Sequence, residues 1–156
     1  MRIIPIASGK GGVGKSLVAA NLSIALAQAG KRVAPADLDL GASNLHLILG
    51  FDSRKPGLGA YLSNSRLGFK SVCHETEYKN LHFIPGDSEI PGLANISARQ
   101  KTQLAKQLLS LEDYDYLILD LGAGTGANIL DFFLLSGRGI VVTSPSLTAT
   151  LNAYLF

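Results

Sequence analysis

Thiol chemistry is nearly absent from this sequence: Cys73 is its single cysteine. An internal disulfide, a CxxC pair and a thiolate-rich metal site are thereby excluded, and the lone thiol fits a reducing interior. Charge is scarce as well, at 17% of residues against 47% hydrophobic, so most elements are expected to be buried on more than one side. The 14 basic and 12 acidic residues leave a net +2, too small an excess to point to nucleic acid. No uncharged apolar run approaches the roughly 18 residues that cross a bilayer. The opening "MRIIPIASGKGG" turns glycine-rich too early for a signal peptide. His46, His74 and His82 lack ligand-like spacing and read as structural or surface groups. The 156 residues suffice for one domain, 1–156, with a single sizeable core. It is expected to be soluble and cytoplasmic.

What is present alternates between two periods. "RIIPIA", residues 2–7, reads as a buried strand, and a helix follows from Leu17 to Ala29, closed by Gly30. "KRVAPADLDL" is the next strand, although Pro35 removes one ladder donor. Residues 41–80 break into short helices and loops, and "LHFIPG" at 81–86 is a brief strand. Ser97 is a candidate N-cap for a helix running to about Glu112, with Leu104, Leu108 and Leu111 on one face. "YDYLILDLGAG" is a strong strand, 127–136 is helical, and "GIVVTSP" is a fifth strand. The terminal "LTATLNAYLF" begins a helix that ends uncapped, as expected of a truncated chain. Strands alternating with helices predict an α/β fold: a mostly parallel, twisted sheet covered by helices on both faces.

The chemistry concentrates between the first strand and its helix. Gly9, Gly14, Lys15 and Ser16 are spaced as G-x-x-x-x-G-K-S. Consecutive N–H groups from Gly11 to Lys15 can curl around a phosphate there, helped by the helix dipole. Side chains at Gly12 and Gly14 would obstruct that approach. Lys15 would bridge terminal phosphates, and the Ser16 hydroxyl would ligate Mg²⁺. Asp37 and Asp39, two apart at a strand end, point to one side if the strand is regular, and Asp120 ends "YLIL" as a Walker B aspartate does. All three are expected to converge on the metal. A backbone N–H at Gly122 or Gly124 could sense a γ-phosphate. Ser43 and Asn44 serve either in a mobile switch or as helix caps. Arg54, Lys55 and Arg66 are read as solvated loop charges.

Lys10, inside the loop, is more than a phosphate loop requires. "KGGVGKS" resembles the deviant Walker A motif of MinD/ParA-class P-loop ATPases, "DLDLGASNLHLILG" resembles their switch I, and "YDYLILDLGAG" their Walker B and switch II. With "IVVTSPSLTATLNAY" the likeness spans nearly the whole chain and is nearest in pattern to the flagellar-number regulators FlhG (FleN) and related MinD-like proteins. The resemblance implies a three-layer P-loop NTPase fold and an ATPase switch that dimerises with ATP to organise flagella, division or DNA partition. It implies ATP or ADP with Mg²⁺ as ligands, held by Gly9, Lys10, Gly11, Gly12, Val13, Gly14, Lys15, Ser16, Leu17 and Gly124. Lys10, Lys15 and Asp39 would be catalytic, with Lys10 acting across the dimer; Ser16, Asp39 and Asp120 would serve the metal. A protein activator is implied as partner, as is peripheral membrane or DNA association through parts outside this chain, where the adenine-contacting residues are also expected. Two departures are Ser146, where an acidic residue is common, and Pro35 within a strand. The alternatives are a metabolic enzyme of the dethiobiotin synthetase or cobyrinic acid amidation type, and a non-hydrolysing nucleotide-binding module.

Overall fold

The computed structural model describes residues 1–40, 43–52, 54–64, 66–86 and 96–156. Three long strands form the frame: β1 (Arg2–Ser8), β2 (Val33–Leu38) and β5 (Tyr116–Ala123). All six residues of β2 are buried, which is why the run reads as continuously apolar rather than alternating. With the short β6 (Ile140–Val141) they make a four-stranded parallel sheet in the order β2-β5-β1-β6. The fifth strand expected over 139–145 is only these two residues, exposed at the sheet edge.

Helices cover both faces of the sheet. Against one face, α1 (Lys15–Gln28) and α2 (Leu45–Ile48) pack Ala19, Ala20 and Leu45 onto Ile6, Val33 and Ile118. Against the other, α3 (Leu58–Ser63), α4 (Ala98–Leu109) and α5 (Ala127–Phe133) bring Leu58, Leu104, Leu108 and Phe132 onto Ala34, Leu117 and Leu119. Alternate residues of β2 and β5 thus feed two cores, as a two-sided sheet demands. Helix α4 starts with a capping box: the Gln100 N–H donates to Ser97 Oγ, and the Ser97 N–H donates to Gln100 Oε1. It ends at Leu109 rather than near Glu112, and Leu111 is buried just beyond it.

Pro35 leaves a visible mark. Beside β2, the segment around β4 (His82–Phe83) pairs through two isolated parallel bridges, Val33–Leu81 and Ala36–Ile84, rather than a continuous ladder. Pro35 still accepts from the Ile84 N–H at 2.9 Å but has no N–H to return. β4 also closes a small antiparallel hairpin with β3 (His74–Glu75), a strand within the stretch whose pattern predicts only short helices and loops. Two of the three histidines behave as packing groups: His82 stands edge-on to Tyr114, and His74 Nε2 lies 2.7 Å from the Pro56 carbonyl oxygen. The last helix is α6 (Leu147–Tyr154), capped by Ser146, whose hydroxyl accepts from the Ala149 N–H. No helix among the described residues is long and apolar enough to cross a membrane.

Candidate functional site

A parallel sheet opens at the carboxyl ends of its strands, and there β1, β2 and β5 deliver their polar residues. β1 ends at Ser8, after which residues 9–14 form an irregular loop leading into α1. Gly12 (φ 77°) and Gly14 (φ 92°) take left-handed backbone conformations that side chains disfavour. Open space surrounds both, so glycine is needed here for the path of the backbone, not to relieve crowding within the chain. The N–H groups of Gly14, Lys15 and Ser16 meet no acceptor among the described residues. They face the sheet's carboxyl end as the unsatisfied donors of a helix N-terminus.

Gly9 has a different requirement. A β-carbon there would fall 2.4 Å from the Asn152 carbonyl carbon and 2.7 Å from the Ala153 nitrogen, so α6 lies directly on the loop. Gly9→Ala is therefore expected to lower unfolding free energy by about 1–3 kcal/mol, because only helix displacement can relieve a clash with backbone. Gly11→Ala, with nothing within 4 Å, is expected to stay within about 0.5 kcal/mol of the parent. Urea denaturation of the two variants checks the contrast. Nothing local in the sequence announces α6 at this place, since it lies more than 130 residues away.

The ammonium of Lys15, only 7% exposed, donates to Asp120 Oδ1 at 2.6 Å and lies 3.5 Å from Ser16 Oγ. Asp120 is 1% exposed, and its Oδ2 has no hydrogen-bond partner among the described residues; neither does the buried Ser8 hydroxyl. Buried polar atoms left unmatched in this way mark a place built to receive another group. Among the described residues no three His, Cys, Asp or Glu side chains gather as a metal site. Magnesium at a phosphate loop needs no such cluster. One hydroxyl, phosphate oxygens and water-mediated carboxylate contacts suffice, and Ser16 with the open oxygen of Asp120 fits that donor set.

β5 reaches this place through a bulge. Its register against β1 runs Ile6–Asp120 and then Ser8–Ala123, so β5 spends one more residue than its partner immediately after Asp120. The Gly124 N–H then donates to the Ser8 carbonyl at 2.8 Å, tying the loop after β5 to the start of the glycine loop. Gly124 itself has φ 100°.

Asp37 and Asp39 part company. The strand ends at Leu38, so side-chain alternation stops before Asp39. Asp39 is partly exposed, and its Oδ1 would sit 3.4 Å from a β-carbon on Gly122. Asp37 is fully buried and turns inward. It accepts from the Asp39 N–H (3.1 Å), the Ser43 hydroxyl (2.6 Å), the Asn44 N–H (3.1 Å) and the Leu45 N–H (3.0 Å). Burial raises its pKa, with the neighbouring Asp120 charge adding to the effect and the hydrogen bonds opposing it. The expectation that Asp37 joins Asp39 at the metal is thus corrected: its oxygens are occupied by the chain itself. Ser43 is a ligand of this carboxylate, while Asn44 is the residue preceding α2 and makes no side-chain cap bond there. Gly41 and Ala42 of the same segment lie outside the described residues.

The remaining site residues hold the rim. Lys10 is exposed and donates to Thr148 Oγ1 of α6 at 3.2 Å, within its own chain. Val13 is half-buried, and Leu17 is 56% exposed in the first turn of α1. Arg54 is occupied by exposed Asp52, whose carboxyl it holds down at about 2, and Lys55 lies over the Phe51 ring. Neither faces the loop as part of a phosphate cradle.

The ParA family profile, described as the NUBPL iron-transfer P-loop NTPase, matches residues 1–154. The chain is 38% identical over 154 residues to the flagellum site-determining protein YlxH of Helicobacter pylori, covering 98% of this chain and 51% of that protein. In structure it is similar to the septum site-determining protein MinD of Pyrococcus horikoshii, solved with Mg-ADP: TM-score 0.84, 32% identity, covering 97% of this chain and 61% of that one. It is similar too to the MinC:MinD cell division complex of Aquifex aeolicus: TM-score 0.81, 26% identity, covering 98% and 60%. The chain thus spans about half the length of the curated relatives it matches. A glycine loop entering a helix, a buried lysine on an aspartate of β5 and this likeness over nearly every residue agree: the chain belongs to the ParA/MinD family of P-loop NTPases.

Proposed function

We propose that this protein binds ATP with Mg²⁺ and hydrolyses it slowly as a molecular switch, closing with a second copy of itself while ATP is bound. The observation that carries the reading is Lys15, buried on Asp120 beside an open carboxylate oxygen, at the head of a helix whose first N–H groups are unmatched. Phosphates arriving at residues 9–17 would draw the ammonium of Lys15 onto themselves. Ser16 and Asp120 would then hold Mg²⁺, which supplies charge neutralisation between phosphate oxygens. Asp39 would orient the attacking water, and the Gly124 N–H, which donates to the Ser8 carbonyl in the empty site, would have to leave that acceptor to report the terminal phosphate. The loop is flanked by exposed Leu17 and Val18 of α1 and Leu147 and Leu151 of α6, apolar surface of the kind a partner covers. The Pyrococcus relative's Mg-ADP and the Aquifex relative's MinC support nucleotide binding and a protein partner here. On this reading the output is spatial, the placement of flagella, division machinery or DNA.

Iron transfer, which the family description mentions, finds no support in Cys73. The single thiol is half-buried and pushed up to about 11 by that burial, which leaves it protonated and a poor ligand. Titration calorimetry with Mg·ATP and Mg·ADP up to millimolar ligand tests the proposal, and saturable heats are expected with both. No uptake of either nucleotide would overturn it. Turnover that appears only on adding a small acid or amine would assign the site to a metabolic enzyme instead.

A further inference from the structure

The buried carboxylate of Asp37 has no place in the scheme above, yet the described residues commit four donors to it. They come from both ends of one excursion. Asp39 donates from the exit of β2, while Ser43, Asn44 and Leu45 donate from the entrance of α2, whose first amides need an acceptor that Asn44's own side chain does not provide. Among the described residues one oxygen, Oδ2, takes the three donors from the far end, and the other, Oδ1, takes the Asp39 N–H alone. Gly86 closes the assembly from a third direction. A β-carbon there would lie 2.7 Å from the Asp37 carbonyl oxygen and 2.9 Å from Ser43 Oγ. The Asp37 N–H in turn donates to the Ile84 carbonyl at 3.0 Å, so the carboxylate stands on a fixed strand.

We propose that Asp37 is a positioning residue: its carboxylate clamps both ends of the Asp39-bearing segment and so sets where Asp39 stands relative to Gly122 and the glycine loop. The proposal rests on the ATPase reading for its consequence but not for its geometry. Hydrogen bonds between the two ends of a loop reduce its freedom most where the chain is shortest, and Asp39 is only two residues from the clamp. An acceptor shared by a buried hydroxyl, one buried amide and two part-buried amides is also costly to remove, so Asp39 has no equally good alternative position.

The asymmetry between the two oxygens makes the idea testable. Asp37→Asn can keep its carbonyl oxygen toward Ser43, Asn44 and Leu45, and then its NH₂ group opposes the Asp39 N–H. In nucleotide-free protein followed by NMR, amide exchange at Asp39 is expected to accelerate about tenfold or more, while Leu45 changes less than about threefold. In steady-state assays kcat is expected to fall about tenfold or more with KM for ATP within about threefold. Ser43→Ala removes one bond and should show the same split more weakly, and it decides the matter if Asp37→Asn does not fold. Asp52→Asn, on the exposed Asp52–Arg54 pair, is the control and leaves both readouts unchanged. Unchanged exchange at Asp39 overturns the clamp, as does kcat falling only in step with nucleotide affinity. If the parent protein binds ATP but never turns it over, the hydrolytic reading fails, and the exchange pattern alone still decides whether Asp37 holds Asp39.

Discussion

Lys15→Ala should reduce Mg·ATP affinity about 100-fold and destabilise the empty protein at the same time. The first effect follows from removing a charged donor aimed at phosphate; 100-fold is about 2.7 kcal/mol, the upper range for a hydrogen bond to a charged group. The second follows from burial. Asp120 is 1% exposed and Lys15 supplies its one hydrogen bond among the described residues, at 2.6 Å. Truncating the lysine leaves a carboxylate unpaired in the core, which costs about 3–5 kcal/mol when a buried pair is broken from one side. Replacing both partners by apolar groups, Lys15→Met with Asp120→Leu, should restore most of the lost stability, because the desolvation cost disappears with the charges. It should not restore nucleotide binding. Calorimetry and urea denaturation on the two variants separate the roles, and a Lys15→Ala protein that binds Mg·ATP within tenfold of the parent would remove lysine from the binding site.

That pair also marks how far the sequence could be read. Residues 9–16 are legible because their chemistry is local: glycines, lysine and serine act within one turn of backbone, so spacing along the chain is spacing in the site. Ser97 with Gln100 is legible for the same reason, as a capping box closed over three residues. Asp37 is not. Alternation places it on the same side as Asp39 if β2 continues, but the strand stops at Leu38. The carboxylate is then captured by the Ser43 hydroxyl and the Asn44 and Leu45 amides, six to eight residues downstream, a tertiary arrangement that no period encodes. The bulge after Asp120 is invisible too, since it is a register difference between β5 and β1 that only pairing defines. The hairpin of β3 and β4 uses two residues per strand, too few for any alternation to register. Gly9 is the instructive intermediate case. The pattern singles it out for phosphate, while the structure adds that α6 presses on it from the far end of the sequence.

α6 bears equally on the reading of Lys10. In the single chain the ammonium rests on Thr148 Oγ1 at 3.2 Å in solvent. A neutral acceptor in water contributes little, about 1 kcal/mol or less, so on the proposed switch reading this contact would be easily exchanged for a triphosphate on a facing copy. Asp39 stands against Gly122 of its own chain. Lys10→Ala and Asp39→Ala should therefore both abolish turnover, by about 100-fold or more, while leaving ATP bound, yet they should diverge in assembly. On that reading Asp39→Ala retains the lysine that would reach across and loses only the group that would align water, so ATP should hold it as a dimer in size-exclusion chromatography. Lys10→Ala lacks the cation that answers the partner's phosphates and should elute as a monomer with ATP still bound. The two substitutions remove opposite charges from the same mouth, so a general electrostatic effect would shift affinity in opposite directions and leave assembly alone. Monomeric elution of both variants with ATP bound would place Lys10 back in its own chain, as a partner of α6.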